Sequence, residues 1–344
     1  MTGIRHHILP RFLQKGFIDN SDKGFKQSGK NNKKSSEITY LYRINENKAL
    51  KASTRHISVE KYFYGKENSL DADITNLEKS LAILVNELRV IKVQQLIINP
   101  IILELITNIS TRTKYFREFI DDLTGLLLDN FNSKLSHENN LTNFLLNNDS
   151  FNNTFEQNLN KYNLSKEQKK LAKALIPIFI QQNAKTLFND YIQGIKGLKP
   201  SLIKESHNEV LQKNLLPDTR IETYKSLNWF IDISTTPLVL GDIGCLFQDQ
   251  EDNYIFLDCQ NEIKNIFLPI SSTQMLIGTS LNSCPKINYE SFRIEYIKHC
   301  REFFISSKQL PELVSLIPYL GEKSSVINNE VIEEMINNIV SNLK

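Results

Sequence analysis

Six side chains in this sequence have the types and settings that acid–base or phosphate chemistry needs: His6, His7, Arg11, Arg112, Arg117 and Asp242. The first three stand in Ile4-Arg5-His6-His7-Ile8-Leu9-Pro10-Arg11-Phe12-Leu13, where adjacent imidazoles lie beside guanidinium groups in an otherwise apolar segment. A neutral imidazole can act as general base, general acid or metal ligand, and a neighbouring arginine favours an anionic substrate by bidentate donation. The plainer reading is that His6 or His7 bonds backbone carbonyls and pins the segment onto the domain, with Pro10 setting the chain direction.

Arg112 and Arg117 belong to Arg112-Thr113-Lys114-Tyr115-Phe116-Arg117, read as part of a helix whose apolar surroundings bury at least one of them. A buried guanidinium needs a carboxylate or a bound anion, and Glu78 and Glu87 on the preceding helix are the partners in reach. A structural ion pair is the commoner outcome, with phosphate recognition second. Asp242 closes Pro237-Leu238-Val239-Leu240-Gly241-Asp242, which places a carboxylate at a strand end beside glycine. Such ends line sites and also make ordinary turns. Arg293 and His299 have the arginine-to-histidine spacing of HEPN-type ribonucleases, a short pattern that a solvated helix face also explains. The sequence has no phosphate-binding glycine loop, nucleophile elbow or zinc-protease helix.

Composition narrows the setting. With 41 basic and 39 acidic side chains among 344 residues, no global field draws the chain to nucleic acid, so a nucleic-acid or nucleotide partner requires a local basic patch. Cys245, Cys259, Cys284 and Cys300 lack zinc-site spacing and read as reduced thiols. The most apolar stretch, 96–109, is broken by Asn99, Pro100, Glu104, Thr107 and Asn108, too short and polar to span a bilayer. No signal peptide is apparent at the N-terminus, and the expectation is a soluble, cytoplasmic protein.

The elements that must position these residues follow from periodicity. Ile38 to Ile44 is rich in β-branched and aromatic residues and reads as a strand, with Leu50 to Thr54 pairing back on it and Val59 to Tyr64 following as an aromatic segment. Ile74, Leu77, Leu81, Leu84, Val85 and Leu88 recur at helical spacing. After a break at Asn99-Pro100, 101–130 forms one helix or two. Residues 132–163 are polar and Asn-rich, with one short helix around 141–146. Ser165-Lys166-Glu167-Gln168 is a capping box that opens a helix to about Ile192, with Pro177 as a kink. Beyond Pro217, short apolar runs at 229–233, 238–240, 254–257, 266–268 and 275–277 predict antiparallel strands, and helical spacing returns from Tyr289 to Lys344. Strands and helices are segregated, which predicts an α+β fold: a helical middle and a mostly antiparallel sheet built from N-terminal and C-terminal strands.

The His6-His7-Ile8-Leu9-Pro10-Arg11-Phe12-Leu13 segment with Phe17, Tyr62-Phe63-Tyr64, Glu78 in Leu77-Glu78-Lys79, and Ser110-Thr111-Arg112-Thr113 through Arg117 resemble, in order and spacing, the bacterial family catalogued as domain of unknown function 4238. Pro237 to Asp242 stands where that family has a TSDNPV-like strand end, and Leu268-Pro269-Ile270-Ser271 matches its LPLS-like strand. Gly241 replaces a usual Ser, and Ile243-Gly244 replaces a usual Asn-Pro. The resemblance implies one domain over 1–344, with sub-regions 1–70, 71–215, 216–288 and 289–344. It implies a shared fold and candidate site more than a reaction.

If the six residues converge, arginine neutralising charge, histidine moving a proton and aspartate orienting it or holding a divalent metal would suit phosphoester hydrolysis or transfer. That predicts a nuclease-like enzyme in bacterial defence or toxicity. The alternative from the same residues is a noncatalytic binding or protein-interaction module built on a buried His/Arg/Asp network.

Overall fold

Consecutive apolar residues in Ile266-Phe267-Leu268 and Met275-Leu276-Ile277 have no polar alternation, a pattern expected of strands covered on both faces. The structure, a computed structural model, bears this out and describes residues 5–19, 37–63, 68–135, 153, 156–157, 159–162, 164–213, 218–255 and 263–324. Its strands are β1 (Arg5–His7), β2 (Ile38–Arg43), β3 (Leu50–Ser53), β4 (Val59–Lys61), β5 (Gln95–Ile97), β6 (Asn228–Ile233), β7 (Leu240–Gly241), β8 (Leu246–Asp249), β9 (Tyr254–Ile255), β10 (Ile263–Ser271), β11 (Gln274–Thr279) and β12 (Phe303–Ser306). Its helices are α1 (Arg11–Gln14), α2 (Asn68–Val90), α3 (Ile101–Thr111), α4 (Lys114–Leu135), α5 (Lys166–Lys213), α6 (Asp218–Ser226), α7 (Tyr289–His299) and α8 (Pro311–Val314). The chain divides into two units, Met1–Arg117 with Lys204–Val326, and Glu118–Ile203 with Ile327–Lys344.

The first unit holds three antiparallel sheets, ordered β1-β4, β5-β6-β11-β10-β8-β9 and β3-β2-β12-β7. In the six-stranded sheet, Phe267 packs its ring 5.2 Å from Phe292 of α7. Leu81, Leu84, Val85 and Leu88 of α2 and Ile102, Leu105, Ile106 and Ile109 of α3 join the same core. In the four-stranded sheet β2 pairs with β12, with Leu41 opposite Ile305, so N-terminal and C-terminal strands do share a sheet. The expected α+β class with antiparallel sheets is therefore observed.

The N-terminal motif docks on β10. Ser272 donates its backbone N–H to the Gly16 carbonyl at 3.1 Å. Arg89 fastens the same contact, donating Nε to the Ile270 carbonyl at 2.7 Å and a terminal nitrogen to the Leu13 carbonyl at 3.0 Å. Burial lowers the Arg89 pKa to about 10.

The second unit is helical in its described residues. Ser165 and Gln168 make the capping box in both directions: Ser165 Oγ accepts from the Gln168 N–H at 3.2 Å, and Gln168 Oε1 accepts from the Ser165 N–H at 2.8 Å. Lys196–Asp129 and Lys199–Asp121 pair α5 with α4 at 2.8 and 3.1 Å.

Several expectations need correction. The strands form three sheets, because β1 pairs with β4 and, of β1 to β4, only β2 pairs with a C-terminal strand, β12. The helix opened by Ser165 passes Ile192 and runs to Lys213, because Ile192, Ile203, His207 and Leu211 keep one buried face. The strand expected at 238–240 starts only at Leu240, and β12 interrupts the region read as helical from Tyr289. β5 likewise lies within the helical middle. The short helix around 141–146, Tyr64, Cys259 and the helix over 329–344 lie outside the described residues.

Candidate polar network around the N-terminal motif

Arg112 and Arg117 sit on different helices rather than one. α3 ends at Thr111, Arg112 is its C-cap, and Thr113 Oγ1 accepts the N–H of Phe116 at 3.0 Å, starting α4. The bend aims the two arginines at different partners.

Arg112 is 3 % exposed and forms an ion pair with Glu78 of α2 through one terminal nitrogen. Its other terminal nitrogen donates to the His7 backbone carbonyl at 2.5 Å. The pairing of β1 with β4 sets His6 opposite Glu60 and His7 opposite Val59. Ser58 continues that ladder by accepting the Ile8 N–H at its carbonyl and the Leu9 N–H at its hydroxyl. His6 is buried and His7 half-buried. His7 thus reaches Arg112 through its backbone oxygen.

Arg117 turns to Phe63 and His207. Its guanidinium carbon lies 3.7 Å from the centre of the Phe63 ring, and a terminal nitrogen donates to the Phe63 carbonyl at 3.0 Å. Its Nε donates to His207 Nδ1 at 2.9 Å. The other ring nitrogen, Nε2, lies 2.8 Å from the Thr111 carbonyl. Because Nδ1 must accept, Nε2 carries the proton, and the imidazole is held neutral in one tautomer. Burial, then the Arg117 charge, lowers the His207 pKa to about 4 against the opposing bond to Thr111. Beneath the motif, Ile8, Phe63, Ile74 and Leu211 make a small apolar cluster.

Arg11 stands apart, paired with Glu37. Burial raises the Glu37 pKa, but hydrogen bonds from Arg11 and Thr54 and the charges of Arg11 and Lys15 outweigh it and hold the carboxyl below its ordinary value.

Asp242 follows β7 and is half-buried. Its carboxylate accepts three successive backbone N–H groups, from Arg301 at 3.0 Å, Glu302 at 2.6 Å and Phe303 at 3.3 Å, fixing the turn that enters β12. Burial pushes its pKa up to about 6, with the Glu302 charge adding and the three N–H bonds opposing. Among the described residues Asp242 makes no bond to His7 or Arg112. The glycines beside it have local causes. A Cβ at Gly241 would run into Cys300 Sγ, and Gly244 takes the left-handed φ of 68° that favours glycine.

The other expected features resolve in the same way. Nδ1 of His299 faces the Glu295 carbonyl and Nε2 the Tyr254 carbonyl, while Arg293 donates to the Pro237 carbonyl, so the two make no shared site. Cys245, Cys284 and Cys300 are free thiols. No group of three or more His, Cys, Asp or Glu side chains suited to a metal gathers among the described residues. The Asp242 carboxylate, aimed at three N–H donors, is a poor fit to a divalent cation.

The structure therefore brings together His7, Arg112 and Arg117 around Glu78, Phe63 and His207, and leaves Arg11 and Asp242 in separate contacts. Sequence reasoning named Glu78 and missed His207. The available signal was its place between Ile203 and Leu211, four residues from each, where a buried helix face carries one imidazole. Chemically, the network holds segments in place: its guanidinium nitrogens face a carboxylate, carbonyls and a ring nitrogen. No helix among the described residues is long and apolar enough to cross a membrane. No family model, curated protein or solved structure matches the chain.

Proposed function

We propose that this protein is a noncatalytic binding or protein-interaction module in which His7, Arg112 and Arg117 belong to a structural network and Asp242 serves a separate structural clamp. The observation that carries this reading is Arg112, almost wholly buried and engaged by Glu78 and the His7 carbonyl. The phosphoester scheme expected from these residues has arginine neutralise the developing negative charge, which asks for a guanidinium not already engaged by the fold. Arg117 is likewise engaged by Phe63 and His207, and Arg11 by Glu37, which also weighs against a basic patch for nucleic acid or nucleotide. The resemblance to domain of unknown function 4238 accords with this reading, because His7, Phe63, Glu78, Arg112 and Arg117 all come from segments that carry it.

The test uses the purified full chain on a panel of phosphodiesters and phosphomonoesters with and without divalent cations, beside His7→Ala, Arg112→Ala and Asp242→Ala. The expected result is no turnover by the parent and lowered melting temperatures for Arg112→Ala and Asp242→Ala. Turnover by the parent that His7→Ala abolishes at unchanged melting temperature would overturn the proposal and favour the enzyme.

A further inference from the structure

The opening half of α5 carries an apolar face that its described neighbours leave bare. Leu171, Leu175, Ile178 and Phe179 follow helical spacing and form one stripe, each between 51 % and 59 % exposed. Farther along the helix the same side carries Ile192 and Ile203, both buried. The change has a geometric cause. α4 runs antiparallel to α5, Asp121 meeting Lys199 and Asp129 meeting Lys196, and it ends six residues after Asp129 at Leu135. Phe179 lies 17 residues before Lys196, past the end of α4. Glu156 and Asn160 also bond α5, but through Lys173 and Lys169, about half a turn round the helix from Leu171. Single apolar residues on a surface are ordinary, whereas a continuous stripe marks a contact surface.

The far end of the chain has the matching pattern. Ile327–Lys344 belongs to the same unit as this half of α5, although the residues just before it belong to the other. In its sequence Val331, Ile332, Met335, Ile336, Ile339, Val340 and Leu343 recur at helical spacing, with polar residues between them. A helix over 331–343 spans about 20 Å, enough to cover the roughly 12 Å from Leu171 to Phe179. The apolar run at 141–146 in the same unit spans only about 9 Å as a helix and falls short of the stripe.

Charge favours the same pairing. The segment carries Glu330, Glu333 and Glu334 against Lys344, while 166–185 of α5 carries Lys166, Lys169, Lys170, Lys173 and Lys185 against Glu167. Two elements of opposite net charge attract, whereas a second copy of α5 would bring lysines to lysines. We propose that residues 331–343 form an amphipathic helix that docks on the 171–179 face of α5 in the same chain and completes the helical unit. This inference stands whether or not the proposed function does.

The test is hydrogen exchange of the full chain over a concentration series, beside Leu175→Asp and Phe179→Asp in α5 and Ile336→Asp and Ile339→Asp in the segment. The expected wild-type result is protection of the amides of 331–343, equal at every concentration. Each variant should speed exchange across 331–343 at least about tenfold while the strands of the first unit keep their protection. Should a variant lose the strands' protection as well, a photo-crosslinking residue in place of Leu175 decides the question, its expected product joining position 175 to 331–343 of the same chain. Unprotected amides across 331–343 would overturn the inference, as would protection untouched by the α5 variants or a cross-link to 141–146. So would protection or cross-linking that appears only as concentration rises, which would assign the face to a second copy.

Discussion

The Arg112 network and the Asp242 clamp are both anchored by one charged side chain, yet they hold different things. Arg112 and Arg117 join side chains and carbonyls from β1, the Phe63 turn, α2 and α5, so each bond ties segments far apart in sequence. Asp242 also bonds across the sequence, but to a single turn, through the three adjacent backbone N–H groups of Arg301, Glu302 and Phe303. A guanidinium with its planar fork of donors suits the first task, and a carboxylate with its several lone pairs suits the second. Residue types that suggest catalysis in a list thus serve two kinds of structural bonding.

The largest expected break in this comparison is Arg112→Ala. It leaves Glu78 without its cation and the His7 carbonyl without its donor, and should cost roughly 3–5 kcal/mol in denaturant unfolding, toward the lower end because Glu78 keeps some solvent contact. Replacing both partners, Arg112→Met with Glu78→Leu, should restore part of that loss, as expected when no buried charge is left alone. A double variant as unstable as Arg112→Ala would mean that the His7 carbonyl, and not Glu78, dominates the site.

The pH dependence of stability should separate the two regions by sign. His207 has its pKa lowered from 6.5 to about 4 in the fold. The unfolded chain therefore binds the extra proton first, and stability falls as pH drops from 6.5 toward 4, by roughly 3 kcal/mol in full. Asp242 is raised from 3.8 to about 6. Its contribution is fully present below pH 3.8 and is lost as pH rises through about 6, the opposite slope over nearly the same range. In unfolding titrations, Asp242→Asn should steepen the acid destabilisation, and His207→Gln should reverse it. Parallel slopes in the two variants would break the assignment.

The smallest expected effect calibrates the other two. Lys196 and Asp129 form an exposed pair at 2.8 Å between α4 and α5. Lys196→Ala should cost less than about 1 kcal/mol, and less still in high salt. A larger loss would mean that exposed pairs in this protein rival the buried one.

Much of the local structure was written in the sequence. Helical spacing from Ile74 to Leu88 fixed the face that α2 buries, Ser165 and Gln168 marked the start of α5, and the apolar runs around Trp229, Leu268 and Met275 marked strands of one sheet. Each of these signals is local, arising from a period of two or 3.6 or from a cap. β12 was not legible, because Phe303-Phe304-Ile305-Ser306 is a short apolar run whose strand form depends on β2, some 260 residues earlier in the chain. His207 was not legible either. Its neutral tautomer exists only because Arg117 and the Thr111 carbonyl meet its two nitrogens in the folded chain.

The sequence by itself determined that His7, Glu78, Arg112, Arg117 and Asp242 were polar groups in apolar surroundings, each obliged to find a partner. Which partner, and through which atom, was decided only by tertiary structure. The break at Thr111–Thr113 sends Arg112 to Glu78 and the His7 carbonyl and Arg117 to Phe63 and His207, while the turn before β12 captures Asp242. The physical reason is that burial fixes the need for a hydrogen bond from the residue's own chemistry, whereas the donor or acceptor that meets it is brought by a segment elsewhere in the chain.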